Sequence, residues 1–250
     1  MRFWYHVCWW IARIGLFFWH PVFHVEGRAH IPAGSCVFCA NHSGMADPIW
    51  ILLALPEKRM IRIMAKQELR RVPFVGWVME KFRVIFVNRG AHDIAAYQQC
   101  VDALEQEHDK MLVFIEGTRC NRDKHVRAKT GAVRMAAASG TPVVPVFVTR
   151  NKTPFCPIRV IFGEPYPVHV DPEDHAACQQ ATDALLKTIY QLGGDSYADQ
   201  ISWDGGLLLR RGAGREPGGA DREVLRVCRD ARADHPQPPR RRALRGHGPA

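Results

Sequence analysis

Full charge is almost absent from the start of the chain. Between Phe3 and Phe23 the one fully charged side chain is Arg13, with His6 and His20 besides. An uninterrupted apolar run is missing there too. A spanning helix needs about 20 apolar residues, and Arg13 would lie near the bilayer centre at roughly 2.5–3.5 kcal/mol. The stretch also lacks the short aliphatic core and small-residue cleavage site of a secretory signal peptide, which argues against secretion. Cys-x-x-Cys occurs once, at Cys36 and Cys39, with no second pair, so the eight scattered cysteines do not form a zinc ribbon. The two also fall in one apolar run, where a strand would send them to opposite faces, and both read as buried thiols of a reducing compartment. No internal repeat is visible, which excludes solenoids and propellers. From Asp204 onward the chain has no aromatic residue and no Ile, Met, Lys, Ser, Thr or Asn, while 13 of its 47 positions are Gly or Pro. Such a segment cannot offset its ordering entropy and reads as a disordered tail. The abrupt loss of several residue types at one point reads as a reading-frame change in GC-rich coding sequence.

What is present is a chain of 250 residues, 47% hydrophobic and 24% charged, with a net charge of +9. That is ample for one large domain or two small ones. Residues 1–203 carry 23 Lys and Arg against 19 Asp and Glu, a net of +4, and the tail supplies the other +5. A basic balance suits nucleic acid, a membrane surface or a phosphorylated substrate. Nucleic acid wants aromatics interleaved with cations. Here nine of the 24 aromatics fall in residues 1–25 and the arginine cluster lies at the far end, so nucleic acid is set aside. The aromatic start, rich in Trp, reads as an interfacial helix lying on a membrane. Between the two ends, apolar runs alternate with helical patterns. Strands are expected at 36–40, 61–65, 84–87, 111–115, 143–148 and 159–162, and helices at 49–55, 94–107, 129–139 and 174–192. Asp47 and Pro48 read as the cap and first residue of the first of these helices. The fold class is α/β, a largely parallel sheet flanked by helices.

Two segments carry chemistry. Asn41-His42-Ser43-Gly44-Met45-Ala46-Asp47-Pro48 follows a strand. Histidine moves protons near neutral pH, and a carboxylate partner fixes its tautomer. On a straight helix His42 and Asp47 would stand about 140° apart, so they meet only if residues 43–46 form a loop. On these residues alone two readings are open: a proton-transfer pair, or a surface histidine beside a helix-capping aspartate. Phe114-Ile115-Glu116-Gly117-Thr118-Arg119 lies at the carboxyl end of another strand, where open α/β sheets bind ligands. Gly117 lets backbone N–H groups approach an anion, Thr118 adds a hydroxyl, and Arg119 can grip phosphate. An ordinary strand-to-loop turn with a surface arginine is the other reading.

Together and in this order, the segments resemble the glycerolipid acyltransferase family, typified by 1-acylglycerol-3-phosphate acyltransferase. His42 and Asp47 match its H-x4-D motif and Glu116-Gly117-Thr118-Arg119 its E-G-T-R motif. Lys66, Glu68, Leu69, Pro73, Gly76 and the run Val84–Arg89 match its second block, with Arg89 at the block's arginine. Lys129-Thr130-Gly131-Ala132 fits the segment after E-G-T-R, and Val144-Pro145-Val146 the fourth block. Three positions depart: Arg83 stands where Gly is usual, Ile115 where Pro is usual, and Ala128 where Phe is usual. Of these, Arg83 is the one expected to bear on the headgroup or acyl pocket.

The resemblance implies an O-acyltransferase moving a fatty acyl group from acyl-CoA or acyl carrier protein to the free hydroxyl of 1-acylglycerol-3-phosphate. His42 and Asp47 would be catalytic. Arg89, Glu116, Gly117, Thr118, Arg119, Lys66 and Pro145 would serve substrate binding, Glu116 by orienting its loop and Pro145 by shaping a pocket. No metal and no cofactor beyond the thioester co-substrate is expected. The expected organisation is a membrane-associating segment over 1–24, an acyltransferase domain over 25–200 and the tail over 204–250, on the cytoplasmic face of a membrane. The alternatives are another acceptor (a lyso-ornithine lipid, glycerol-3-phosphate or another lysophospholipid) and a non-enzymatic basic membrane-binding protein.

Overall fold

The computed structural model describes residues 2–55, 61–88, 93–120 and 126–194. The chain divides into two units, 1–208 and 209–250, and every described residue belongs to the first. The tail from Asp204 lies outside the described residues.

Seven strands form one sheet: β1 (Phe23–Glu26), β2 (Cys36–Ala40), β3 (Arg62–Lys66), β4 (Ile85–Val87), β5 (Lys110–Phe114), β6 (Val143–Val148) and β7 (Ile158–Phe162). Their order is β1-β7-β6-β2-β5-β3-β4. β2 pairs in parallel with β5 and β6, and β3 with β5 and β4. β7 runs antiparallel to β6 and carries β1 parallel to itself. Five strands therefore point the same way, and their carboxyl ends share one rim of the sheet. β2 and β6 are buried on both faces, which is why each is a continuous apolar run.

The helices are α1 (Arg2–Trp19), α2 (Asp47–Ala54), α3 (Val75–Lys81), α4 (Ile94–Glu105), α5 (Gly131–Ala138) and α6 (His175–Leu192). Alternation along the strands splits the core in two. Val37, Cys39, Met111 and Val143 pack toward α4, α5 and α6. Cys36, Phe38, Leu112 and Val144 pack toward α2, with Trp9 and Leu16 of α1 against the same layer. Cys36 and Cys39 thus face opposite layers, and burial pushes the Cys36 thiol up to about 12. Asp174 caps α6 by accepting the N–H groups of Ala176 and Ala177 at 2.9 and 3.0 Å.

Three local readings change. Asp47 does not cap α2; it is that helix's first residue, its cap position is Ala46, and its carboxylate turns back onto the preceding loop. The aromatic first helix stops at Trp19, and Phe23 opens a strand beside β7, so the boundary at residue 24 falls inside the sheet. Arg83, at φ +54, occupies a left-handed backbone position, the reason glycine suits it. Its guanidinium pairs with Glu107 and lies 3.6 Å from Asp109, at the amino ends of β4 and β5 and away from any headgroup pocket at the carboxyl rim. Among the described residues, no helix is long and apolar enough to cross a membrane.

Candidate active site

β2 ends at Ala40, and the next side chain directs the turn out of the sheet. Asn41 is fully buried; its Nδ2 donates to Val148 O at 2.9 Å and its Oδ1 accepts Val148 N–H at 2.8 Å. This amide continues the ladder to β6 by one side-chain step and sets the height at which His42 leaves the sheet. The His42 N–H donates to Glu116 Oε2 at 2.6 Å, and its carbonyl accepts the Cys120 N–H at 2.7 Å. The imidazole stacks on Phe114, with ring centroids 4.2 Å apart. Backbone and ring of His42 are therefore both held by the end of β5 and the loop after it.

Residues 43–46 form a loop, and the five-residue spacing closes. Asp47 Oδ2 lies 2.9 Å from His42 Nδ1 and accepts the N–H groups of Ser43 and Gly44 at 2.7 Å each. A carboxylate only accepts, so Nδ1 carries the proton and Nε2 presents a lone pair. Among the described residues nothing bonds Nε2, and the ring is 17% exposed. Asp47 is fully buried. Burial alone would raise its pKa, but the His42 bond, the charge and bond of Lys152 and the Gly44 N–H hold it below the usual carboxylate range.

Lys152, in the loop after β6, escaped the sequence reading. Its Nζ donates to Ser43 Oγ and Thr149 O at 2.6 Å each, and lies 2.6 Å from Asp47 Oδ1. It has no periodic signature and no motif; only the fold brings it to Asp47. Tyr190 was missed for the same reason, while Asn41 and Phe114 stood inside the two segments without a role of their own.

Glu116, grouped with the substrate-binding residues, does not face solvent. It is 1% exposed, Oε2 is taken by His42 N–H, and Oε1 accepts the hydroxyl of the fully buried Tyr190 on α6. Burial pushes its carboxyl up, against the lowering influence of those two bonds and of Arg150. It ties together β2, β5 and α6 rather than touching a ligand. Gly117 has φ +65, and a Cβ there would come within 2.9 Å of Lys129 Cγ. Thr118 is half-buried, and Arg119 and Lys129 are exposed with no ion pair among the described residues. Lys66, at the carboxyl end of β3, pairs with Glu68 at 2.7 Å. Pro145 sits buried inside β6 opposite Cys39, its carbonyl accepting the Gly163 N–H at 2.8 Å, so it belongs to the sheet interior and not to a rim pocket. Arg89 lies outside the described residues. No group of three or more His, Cys, Asp or Glu side chains that could hold a metal gathers among the described residues.

A hydrogen-bonded His–Asp pair on a parallel-sheet rim, beside a Gly-Thr-Arg loop, bears comparison with known proteins. A family model for acyltransferases matches residues 22–149, just over half the chain. The chain belongs to the acyltransferase family. The 1-acyl-sn-glycerol-3-phosphate acyltransferase of Borreliella burgdorferi is 34% identical over 152 residues, 58% of each chain. The human 1-acyl-sn-glycerol-3-phosphate acyltransferase beta is 30% identical over 55% of this chain and 50% of its own. The lyso-ornithine lipid O-acyltransferase of Pseudomonas aeruginosa is 28% identical over 58% of this chain and 53% of its own. The crystal structure of the 1-acyl-sn-glycerophosphate acyltransferase PlsC from Thermotoga maritima matches with a TM-score of 0.56 and 25% identity, over 72% of this chain and 76% of that one. The chain spans about half the length of the curated relatives it matches. In this acyltransferase the matched region takes in β1 through β6, and so both halves of the site.

Proposed function

We propose that the protein transfers a fatty acyl group from a thioester donor, acyl-CoA or acyl carrier protein, to the free hydroxyl of 1-acylglycerol-3-phosphate, giving phosphatidic acid. The observation that carries this reading is the 2.9 Å contact of His42 Nδ1 with a buried, ionised Asp47, which leaves Nε2 open at the rim. Nε2 removes the proton of the acceptor hydroxyl as its oxygen attacks the thioester carbonyl. Asp47 holds the tautomer and balances the imidazolium that forms. The tetrahedral intermediate then collapses, the C–S bond breaks, and the imidazolium returns its proton to the thiolate. The acyl group passes directly to the acceptor, with no acyl-enzyme.

The acceptor phosphate is read by the Gly117 backbone, the Thr118 hydroxyl and the Arg119 guanidinium, with Arg89 as a second cation. The exposed Arg119 and Lys129 favour a phosphate headgroup over the zwitterionic ornithine headgroup named for the Pseudomonas relative. The protein works on the cytoplasmic face of a membrane, reached in part through the aromatic helix α1. The test is His42→Ala in membrane fractions supplied with lysophosphatidic acid and labelled acyl-CoA. Transfer is expected to fall by on the order of 10³-fold or more. A wild-type rate in that variant overturns the mechanism, and a panel including lyso-ornithine lipid and glycerol-3-phosphate decides the acceptor.

A further inference from the structure

Among the described residues beyond α1, large apolar side chains are exposed at one end of the sheet only. They include Val22, Met45, Ile49, Phe74, Ile94 and Phe155. Every one lies on a segment that leaves or enters the sheet at the carboxyl rim: before β1, after β2, after β3, after β4, or between β6 and β7. The amino rim instead carries the paired charges Arg62, Arg83, Glu107 and Asp109.

Two of the most exposed rim side chains are also costly to hold there. Phe74 is 75% exposed at φ +65 and Phe155 is 72% exposed at φ +67. A bulky side chain at positive φ is a strained conformation, and such strain collects where function needs it. Phe74 sits at the centre of a tight turn closed by Val75 N–H to Pro73 O at 2.7 Å. Gly76 fixes that turn, since a Cβ there would come within 2.2 Å of Arg70 O. Phe155 is pinned by its N–H to Trp19 O at 2.9 Å, at the end of α1. Among the described residues, the non-glycine positions with positive φ at the amino rim are Arg83 and His108, both polar. Cations surround the carboxyl rim: Arg71, Arg119 and Lys129 are exposed without an ion pair among the described residues, while Glu68 and Glu80 are taken by Lys66 and Arg70.

We propose that the carboxyl rim is itself a membrane-docking face, its tips Phe74 and Phe155, with Met45 between them, entering an anionic bilayer around the mouth that holds His42. Apolar tips ringed by cations match a surface that is hydrocarbon below and phosphate above. Sequence order hides this face, because its residues come from five separate loops. The meaning of the docking, presentation of a lipid acceptor to His42, rests on the acyltransferase reading; the docking itself does not.

The experiment uses the full chain and the double variant Phe74→Gly, Phe155→Gly. Glycine takes a positive φ without strain, so the melting temperature should stay level or rise. Partition is measured by sedimentation with phosphatidylcholine–phosphatidylglycerol vesicles and with phosphatidylcholine vesicles, without substrate. The variant should bind the mixed vesicles more weakly by roughly an order of magnitude for each ring removed. It should acylate vesicle-borne acceptor correspondingly slower, yet match wild type on acceptor dispersed in detergent. Wild-type partition in the variant overturns the proposal. So does a rim that, without vesicles, holds two copies of the chain together until the rings are removed. A wild-type protein that binds vesicles but transfers no acyl group to any acceptor sinks the acyltransferase reading and leaves the docking face standing.

Discussion

Lys152 reaches the same buried carboxylate as His42, through its other oxygen. His42 and Asp47 were legible as a pair because their motif is local; the open question of helix or loop was settled by the turn at Gly44. Lys152 was not legible, since it lies 109 positions beyond Ser43 and joins the site only because β6 runs beside β2. Its charge has a measurable consequence. The folded-state pKa of Asp47 is below its ordinary 3.8, so the stability it contributes is complete above that pH and is lost as pH falls through the folded value. Lys152→Met removes one cause of that depression and leaves a buried anion with fewer partners. At neutral pH it should cost roughly 3 kcal/mol. The deficit should shrink as pH falls and close only below the depressed wild-type folded value, where Asp47 is protonated in both proteins. Urea unfolding across that range is the measurement. A deficit that does not change with pH would mean that Lys152 acts through packing alone.

Elements differ in how plainly they announce themselves. β2 and β6 lie in the sheet interior, so both faces are apolar and their limits are readable to the residue. β1 is four residues long with alternate residues half-exposed, and α3 is seven residues after a strained turn, so neither has enough period to be seen. Glu116 shows how elements are joined once formed, because one carboxylate serves β2 through His42 and α6 through Tyr190. Its pKa is raised, so the fold gives up stability as pH climbs from the ordinary 4.5 through the folded value. Glu116→Gln keeps a carbonyl for the His42 N–H and offers an amide to the Tyr190 oxygen. It should therefore match wild type in acid and equal or exceed it at neutral pH. Glu116→Ala leaves two buried donors unsatisfied and should lose roughly 2–4 kcal/mol at every pH. Thermal melts of both variants from acid to neutral pH decide this, and a Gln variant weaker than wild type at neutral pH would show that the charge itself holds α6 in place.

On the scale of the whole molecule, net charge and charge placement are separate quantities. The chain carries +9, yet residues 1–203 carry +4, with 23 Lys and Arg against 19 Asp and Glu. No count of charges reveals that, among the described residues, the amino rim pairs Arg62 and Arg83 with Glu107 and Asp109 while the carboxyl rim leaves Arg71, Arg119 and Lys129 unpaired beside exposed rings. That division depends on strand order. Two contributions to membrane binding can then be told apart by salt. A chain ending at Trp203 loses 11 arginines and 6 acidic residues, all remote in sequence from His42, Asp47 and the Gly-Thr-Arg loop. It should bind anionic vesicles more weakly at low ionic strength and keep its rate on detergent-dispersed acceptor. In molar salt, where screening acts within about 3 Å, the difference from the full chain should vanish. The loss caused by Phe74→Gly and Phe155→Gly should persist there, because burial of a ring in hydrocarbon is not screened. Vesicle sedimentation of both proteins at low and molar salt gives the comparison. If the shortened chain also loses its rate on detergent-dispersed acceptor, the arginines of the tail belong to the chemistry and not to the surface.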